Sequence, residues 1–227
     1  MTDSADRKAC LPAEGLAFLA RLARNNTTAW FHSHKDEYSA LVRVPMLAVV
    51  NAINQGLSKF APAYVAAKKD PLGRPNRDIR FSKDKSPYRT DVSVVFPRQG
   101  REKHEAAGFF LRVAPDGVEL IAGTYMPGPD ELRKLRKYLG THHAAFNRLV
   151  NSRPLGNTFG PLLGESLGRV PAPFAAVQPG ADLLRKKQFF VRRTLPPAGA
   201  TTPGFAGEVI DAFRVATPFV EAIDDAL

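Results

Sequence analysis

The residues best equipped for chemistry lie together. The chain runs Arg77-Asp78-Ile79-Arg80-Phe81-Ser82-Lys83-Asp84-Lys85-Ser86-Pro87-Tyr88-Arg89-Thr90-Asp91, five basic residues among three carboxylates. Guanidinium groups hold phosphate or carboxylate through paired N–H donors, and lysine supplies a compact point charge. Arg80, Lys83, Lys85 and Arg89 are therefore candidate ligand-binding residues, with a hydroxyl from Ser82 and the ring of Tyr88 to pack beside a base or sugar. Such a corner suits a phosphate-bearing anion, either nucleic acid or a nucleotide. A second function class uses the same residues differently. In an enzyme acting on a small phosphorylated or carboxylated substrate, Asp78 or Asp84 is the base or metal ligand, and the cations stabilise developing negative charge. The plainest alternative is local cancellation, with Arg80 on Asp78, Lys83 or Lys85 on Asp84, and a solvated turn between them. Phe81 belongs either among the cations or in the core.

Other chemistry is sparse. His142 and His143 are adjacent on a helix and point about 100° apart, a poor arrangement for chelating one metal, and His32 and His34 fare no better. Asp78, Asp84 and Asp91 could hold Mg²⁺ near a phosphate, but carboxylates crowded by cations are usually ion-paired. The sequence carries no P-loop, dinucleotide fingerprint or nucleophile elbow, and it names no cofactor. Cys10 is the single cysteine, so neither an intramolecular disulfide nor a thiolate-built zinc site can form. Further basic groups sit at Arg133 to Lys137, Arg185 to Lys187 and Arg192-Arg193. Each reads first as a solvated face, and as part of a nucleic-acid groove only if all share one side.

The elements that must position these groups follow from periodicity. Leu16, Leu19, Ala20 and Ala23 recur at helical spacing after Pro12. Thr27 or Thr28 caps a second helix that Pro45 should kink, and Met46 to Leu57 continues it. Residues 58–76 read as a loop. Period-two alternation predicts strands at 78–81 and 88–96, so that the basic cluster rides on a strand–turn–strand. Two more strands, at 109–113 and 118–125, are joined by Pro115-Asp116-Gly117, a hairpin signal. Helical pattern returns at 129–139 and 141–150. Residues 151–181 are loop-rich, with a short strand near 167–170. A short helix at 182–187, a strand at 188–193 and a helix at 208–226 interrupted near Pro218 complete the pattern. Helices, then a meander, then helices predict an α+β fold: an antiparallel sheet of four or more strands packed with N- and C-terminal helices. Residues 11–227 read as a single domain and 1–10 as a flexible tail.

Two stretches carry a resemblance. The first is Asn25-Asn26, Trp30-Phe31, Lys35, Tyr38 and Pro45; the second is Arg77-Asp78 with Arg80-Phe81-Ser82-Lys83-Asp84-Lys85-Ser86-Pro87-Tyr88. Together with Gly123, Tyr125 and Pro127, and with Leu132 and Arg136 behind them, they resemble a mostly bacterial domain-of-unknown-function family, number 2461. Arg89 stands where that family often has lysine. Pro75-Asn76 replaces a more apolar pair, and the segment 169–174 lacks an expected Lys-Gly. The likeness runs from about Leu16 to Leu195. It implies no reaction, but it implies that residues 77–91 form a defined site.

The 227 residues carry 32 Lys+Arg against 22 Asp+Glu, a formal charge of +10. A positive field concentrates polyanions and speeds their encounter. The first residues are polar with no apolar core of a signal peptide, and no apolar run approaches the roughly 20 residues of a membrane span. The expectation is a soluble cytoplasmic protein with no membrane partner. Oligomeric state is not legible.

Overall fold

The computed structural model describes residues 7–67, 70–80, 82–101, 107–175 and 180–227. Helix α1 (Ala13–Arg24) starts after Pro12 and buries Phe18, Leu19 and Leu22 on one face. The Thr27 hydroxyl accepts the Trp30 N–H at 3.3 Å and so caps α2 (Thr28–Ser33). The long helix predicted next is built in pieces. These are α3 (Lys35–Tyr38), a π turn (Ser39–Arg43) and α4 (Val44–Phe60). Pro45 cannot donate to the preceding turn, and the π turn immediately before it absorbs the mismatch. The run 35–60 is long and apolar enough, by length and composition, to cross a membrane. No such run was expected. Its apolar residues have another use, because Val42, Met46, Val49, Val50, Ile53 and Leu57 all lie in the core.

The sheet contains β1 (Val92–Pro97), β2 (Gly108–Ala114), β3 (Gly117–Thr124) and β4 (Phe189–Leu195), antiparallel and in the order β1-β2-β3-β4. The α+β fold is as the sequence predicts. Two strand expectations fail. Residues 78–80 are not in a strand, and the segment around them closes through an isolated bridge between Asn76 and Tyr88. Residues 167–170 form no strand either, although Leu163 and Ser166 make single bridges nearby. The strand near 88–96 begins only at Val92.

Helix α5 (Pro129–Val150) runs unbroken through Gly140, and α6 (Arg153–Phe159) occupies part of the stretch read as loop. Helix α7 (Ala181–Arg185) precedes β4, and α8 (Phe205–Asp224) closes the chain without a break at Pro218. Residues 7–10, expected in a tail, are tied to α8. Ala9 and Arg7 carbonyls accept from the Ala206 and Gly207 N–H groups, and the Arg7 guanidinium meets Asp211 at 2.5 Å.

Strand alternation divides the sheet into two faces. Val94, Phe96, Phe109, Leu111, Val113, Leu120 and Val191 point to one side and are buried. Helix α8 covers that side, with Phe213 stacked on Phe109 at 4.7 Å and edge-on to Phe96 at 5.8 Å. The opposite side carries Ser93, Val95, Phe110, Arg112, Glu119, Ile121 and Arg192, all only partly buried or exposed. Helix α8 in turn packs on α4, where Ile210 sits against Gly56 so closely that a methyl there would collide.

Candidate functional site

The described residues of the Arg77–Asp91 segment form a hairpin-like arm and lie in no strand. The Arg77 N–H donates to the Pro87 carbonyl, and the Arg89 N–H to that of Pro75, both at 2.8 Å. Asn26 fixes the arm from below. Its side-chain amide donates to the Tyr88 carbonyl at 2.9 Å, and its oxygen accepts the Tyr88 N–H at 3.0 Å. The Tyr88 ring is buried and stacks on Phe31 at 4.0 Å. The two stretches that carry the family resemblance therefore meet in space. Tyr88, expected beside a ligand, is a core residue that holds the arm down.

Arg77, Arg80, Lys85 and Arg89 of the arm are engaged locally. Arg80 forms a bidentate pair with Asp78, at 3.0 and 2.8 Å, on an exposed surface. Arg77 meets Asp84, which also accepts from the Ser86 hydroxyl and, at 2.9 Å, from the Ser86 N–H. Lys85 donates to the Ile79 carbonyl at 2.9 Å. Lys83 is exposed and Ser82 is half-buried. Phe81 lies outside the described residues. Both carboxylates proposed as a base are strongly acidic. Hydrogen bonds from Arg80 hold Asp78 at about 2, and hydrogen bonds from Ser86, helped by Arg77, hold Asp84 at about 2. A carboxylate this acidic is a weak proton acceptor at neutral pH. Arg89 alone among the expected ligand residues turns toward the sheet. It donates to Asp91 at 2.7 Å and to the Ser93 hydroxyl at 2.6 Å.

From Ser93 a polar row crosses the half-exposed face in register, through Arg112, Glu119 and Thr194. Arg112 lies 4.0 Å from Asp91, 3.1 Å from Asp116 and 3.5 Å from Glu119, whose carboxylate also reaches Arg192 at 3.7 Å. These charges balance one another. Beside the row lies an apolar trough of about 530 Å³, floored by Val95, Phe110 and Ile121 and walled by Phe190. Tyr125 and Met126 stand at its rim, 55% and 72% exposed, two of the three large apolar side chains among the described residues that face solvent.

A basic pocket of about 350 Å³ adjoins the trough and shares Val95 and Pro97 with it. Here β1 ends in the turn Arg98-Gln99-Gly100-Arg101. Gly100 takes φ +80°, a conformation that strains side-chain-bearing residues, and the Gln99 N–H donates to the Ala63 carbonyl at 2.7 Å. The turn delivers two half-buried guanidinium groups to the pocket. Behind them lies Asp224, at the C-terminal end of α8 and almost wholly buried. Its two oxygens accept from the Tyr64 hydroxyl at 2.5 Å and the Ala107 N–H at 3.0 Å. Arg98 and Arg101 come only to 3.9 and 4.0 Å, close enough to feel its charge but too far to hydrogen-bond. Burial pushes the Asp224 carboxyl up, against the pull of Tyr64, Ala107 and the two arginines. Among the described residues neither arginine has another carboxylate partner. Among the described residues two positive groups thus face one buried negative group that neither of them hydrogen-bonds.

Nothing in the sequence singles these arginines out; they fall between the predicted strands 88–96 and 109–113. The other basic clusters are neutralised in part nearby. Arg133 pairs with Asp130, Arg185 with Asp182, Lys187 with Glu165 and Arg193 with Glu208, while Arg136 donates to the carbonyls of Leu184 and Lys186 and so fastens α7 to α5. Among the described residues no group of three or more His, Cys, Asp or Glu side chains is arranged to hold a metal ion.

An antiparallel four-stranded sheet, covered by a C-terminal helix on one face and half-exposed on the other, places the chain in the α+β class. Within that class it belongs to the family described as "Conserved hypothetical protein (DUF2461)", whose model matches residues 14–221. No curated protein and no solved structure matches the chain.

Proposed function

We propose that the protein binds a phosphate-bearing anion, and that Arg98 and Arg101 hold it. One observation carries this reading: two half-buried guanidinium groups line a pocket and, among the described residues, share one buried carboxylate whose oxygens already have closer donors. Partial burial lowers the local dielectric, so positive charge here attracts an anion more strongly than the exposed lysines of the arm can. The formal charge of +10 adds long-range attraction. The cytoplasm, where phosphorylated metabolites and nucleic acid abound, is the compartment that this reading implies.

The competing location is the arm itself, with Arg80, Lys83, Lys85 and Arg89 as the holding groups. Calorimetric titration of pyrophosphate into the purified protein separates the two. The double variant Arg98→Ala with Arg101→Ala should weaken binding roughly tenfold or more, because a hydrogen bond to a charged group contributes about 1.5–3 kcal/mol. Arg98→Lys with Arg101→Lys keeps the charge and should retain part of the affinity. Binding should also fall with added salt. Lys83→Ala with Lys85→Ala should leave binding unchanged. The reverse pattern, loss in the lysine variant and none in the arginine variant, would return the site to the arm. No binding of pyrophosphate by the unaltered protein at low salt would end the proposal.

A further inference from the structure

We infer that the ligand is a nucleoside phosphate, its base lying in the apolar trough and its phosphates at Arg98 and Arg101. The inference rests on the anion reading above and narrows it. Three observations carry it. First, the basic pocket and the trough adjoin, since Val95 and Pro97 line both. A molecule with an anionic end held at the turn therefore meets an apolar floor next to it, not open solvent.

Second, the trough suits a flat unsaturated ring. Phe110 lies on its floor, and Tyr125 stands at its rim in edge-on contact with Phe190, ring centroids 5.0 Å apart. Tyr125 and Met126 leave solvent only if something covers them, and an aromatic face with a soft thioether beside it suits a heterocycle. Third, the spacing fits. Pro97, Gly108 and Gly123 are directly paired across β1, β2 and β3. Arg98 follows the first of them and Tyr125 lies two residues beyond the last. Two strand spacings separate them, roughly 10 Å, the scale of one nucleotide and not of a long polymer. The polar row at the other end of the trough is self-neutralised through Arg112 and Glu119. It offers amide-like polarity for base edges without drawing the phosphates away from the turn.

Calorimetric titration of adenosine diphosphate beside pyrophosphate tests the inference. The diphosphate should bind about tenfold more tightly than pyrophosphate, the gain expected from stacking one base on an aromatic side chain. Tyr125→Ala, combined with Met126→Ser, should erase most of that gain and leave pyrophosphate affinity unchanged. Both side chains are largely exposed, so the fold should persist, and an unchanged melting temperature checks this. Equal affinity for the two ligands, or a gain that survives the double variant, would overturn the inference while leaving the anion site standing. Failure of both ligands to bind would instead reject the anion site.

Discussion

At the residue scale, the aspartates divide by environment. Asp78 and Asp84 are exposed and surrounded by donors, which hold them at about 2, below the ordinary 3.8. The folded chain releases their protons more readily than the unfolded one. Their contribution to stability is therefore present above about pH 4 and is lost as the pH falls through about 2. Asp224 has the opposite sign. Burial raises it above 3.8, so the folded chain keeps that proton longer, and its contribution is full below 3.8 and declines as the pH rises through its own midpoint. Carbon-13 titration of the carboxyl groups should show the first two with midpoints near 2 and Asp224 above 3.8. An Asp224 midpoint below 3.8 would mean that Arg98 and Arg101 outweigh its burial, and hence that little of their charge remains for a ligand.

At the element scale, the arm of residues 75–89 depends on contacts remote in sequence. Asn26→Ala would leave the Tyr88 N–H and carbonyl without their partners, at a cost of about 1–3 kcal/mol. For a chain of this size each kcal/mol lowers the melting temperature by about 2–4 °C. Thermal unfolding should show that drop, together with faster amide exchange at Tyr88. The same dependence explains which elements were legible. The β2–β3 hairpin is encoded by adjacent residues, Pro115-Asp116-Gly117, and forms where expected. The alternation at 78–81 is equally strand-like, yet among the described residues no strand pairs with 78–80, and Asn26 and Phe31 decide where Tyr88 goes. The sequence pattern predicts helix at 129–139 and again at 141–150, but α5 is one helix, because Leu135, Leu139, Phe146 and Val150 bury a continuous face across Gly140. Arg98 and Arg101 stayed hidden for the same kind of reason. Nothing in the local sequence of the turn reveals a buried carboxylate at the far end of α8.

At the scale of the whole molecule, aromatic contacts centred on Phe213 link the sheet to a helix. Phe213 on α8 is fully buried against Phe96 and Phe109, the inner-face neighbours of the strand ends that frame the basic pocket. Phe213→Ala removes a large side chain from a closely packed centre and should destabilise the fold by about 3–5 kcal/mol. Scanning calorimetry measures this, and a loss under 1 kcal/mol would mean that the helix and sheet cohere by other contacts. The pattern of helices around a meander was legible because apolar periodicity is written along every element. The pairing of charges was not, because it depends on which side chains the fold brings face to face.

The sheet's borders have a consequence for how copies of this chain meet. Strand β1 is six residues long and ends in Pro97, which has no N–H to offer. Strand β4 is bridged on its far side at Phe190 by Leu163, then carries Arg192 and Arg193 and runs into Pro196-Pro197. Neither margin presents a long row of unmet donors and acceptors on which a second sheet could template itself. Joining strand to strand is thereby discouraged, and crowded chains are kept from zipping into ribbons.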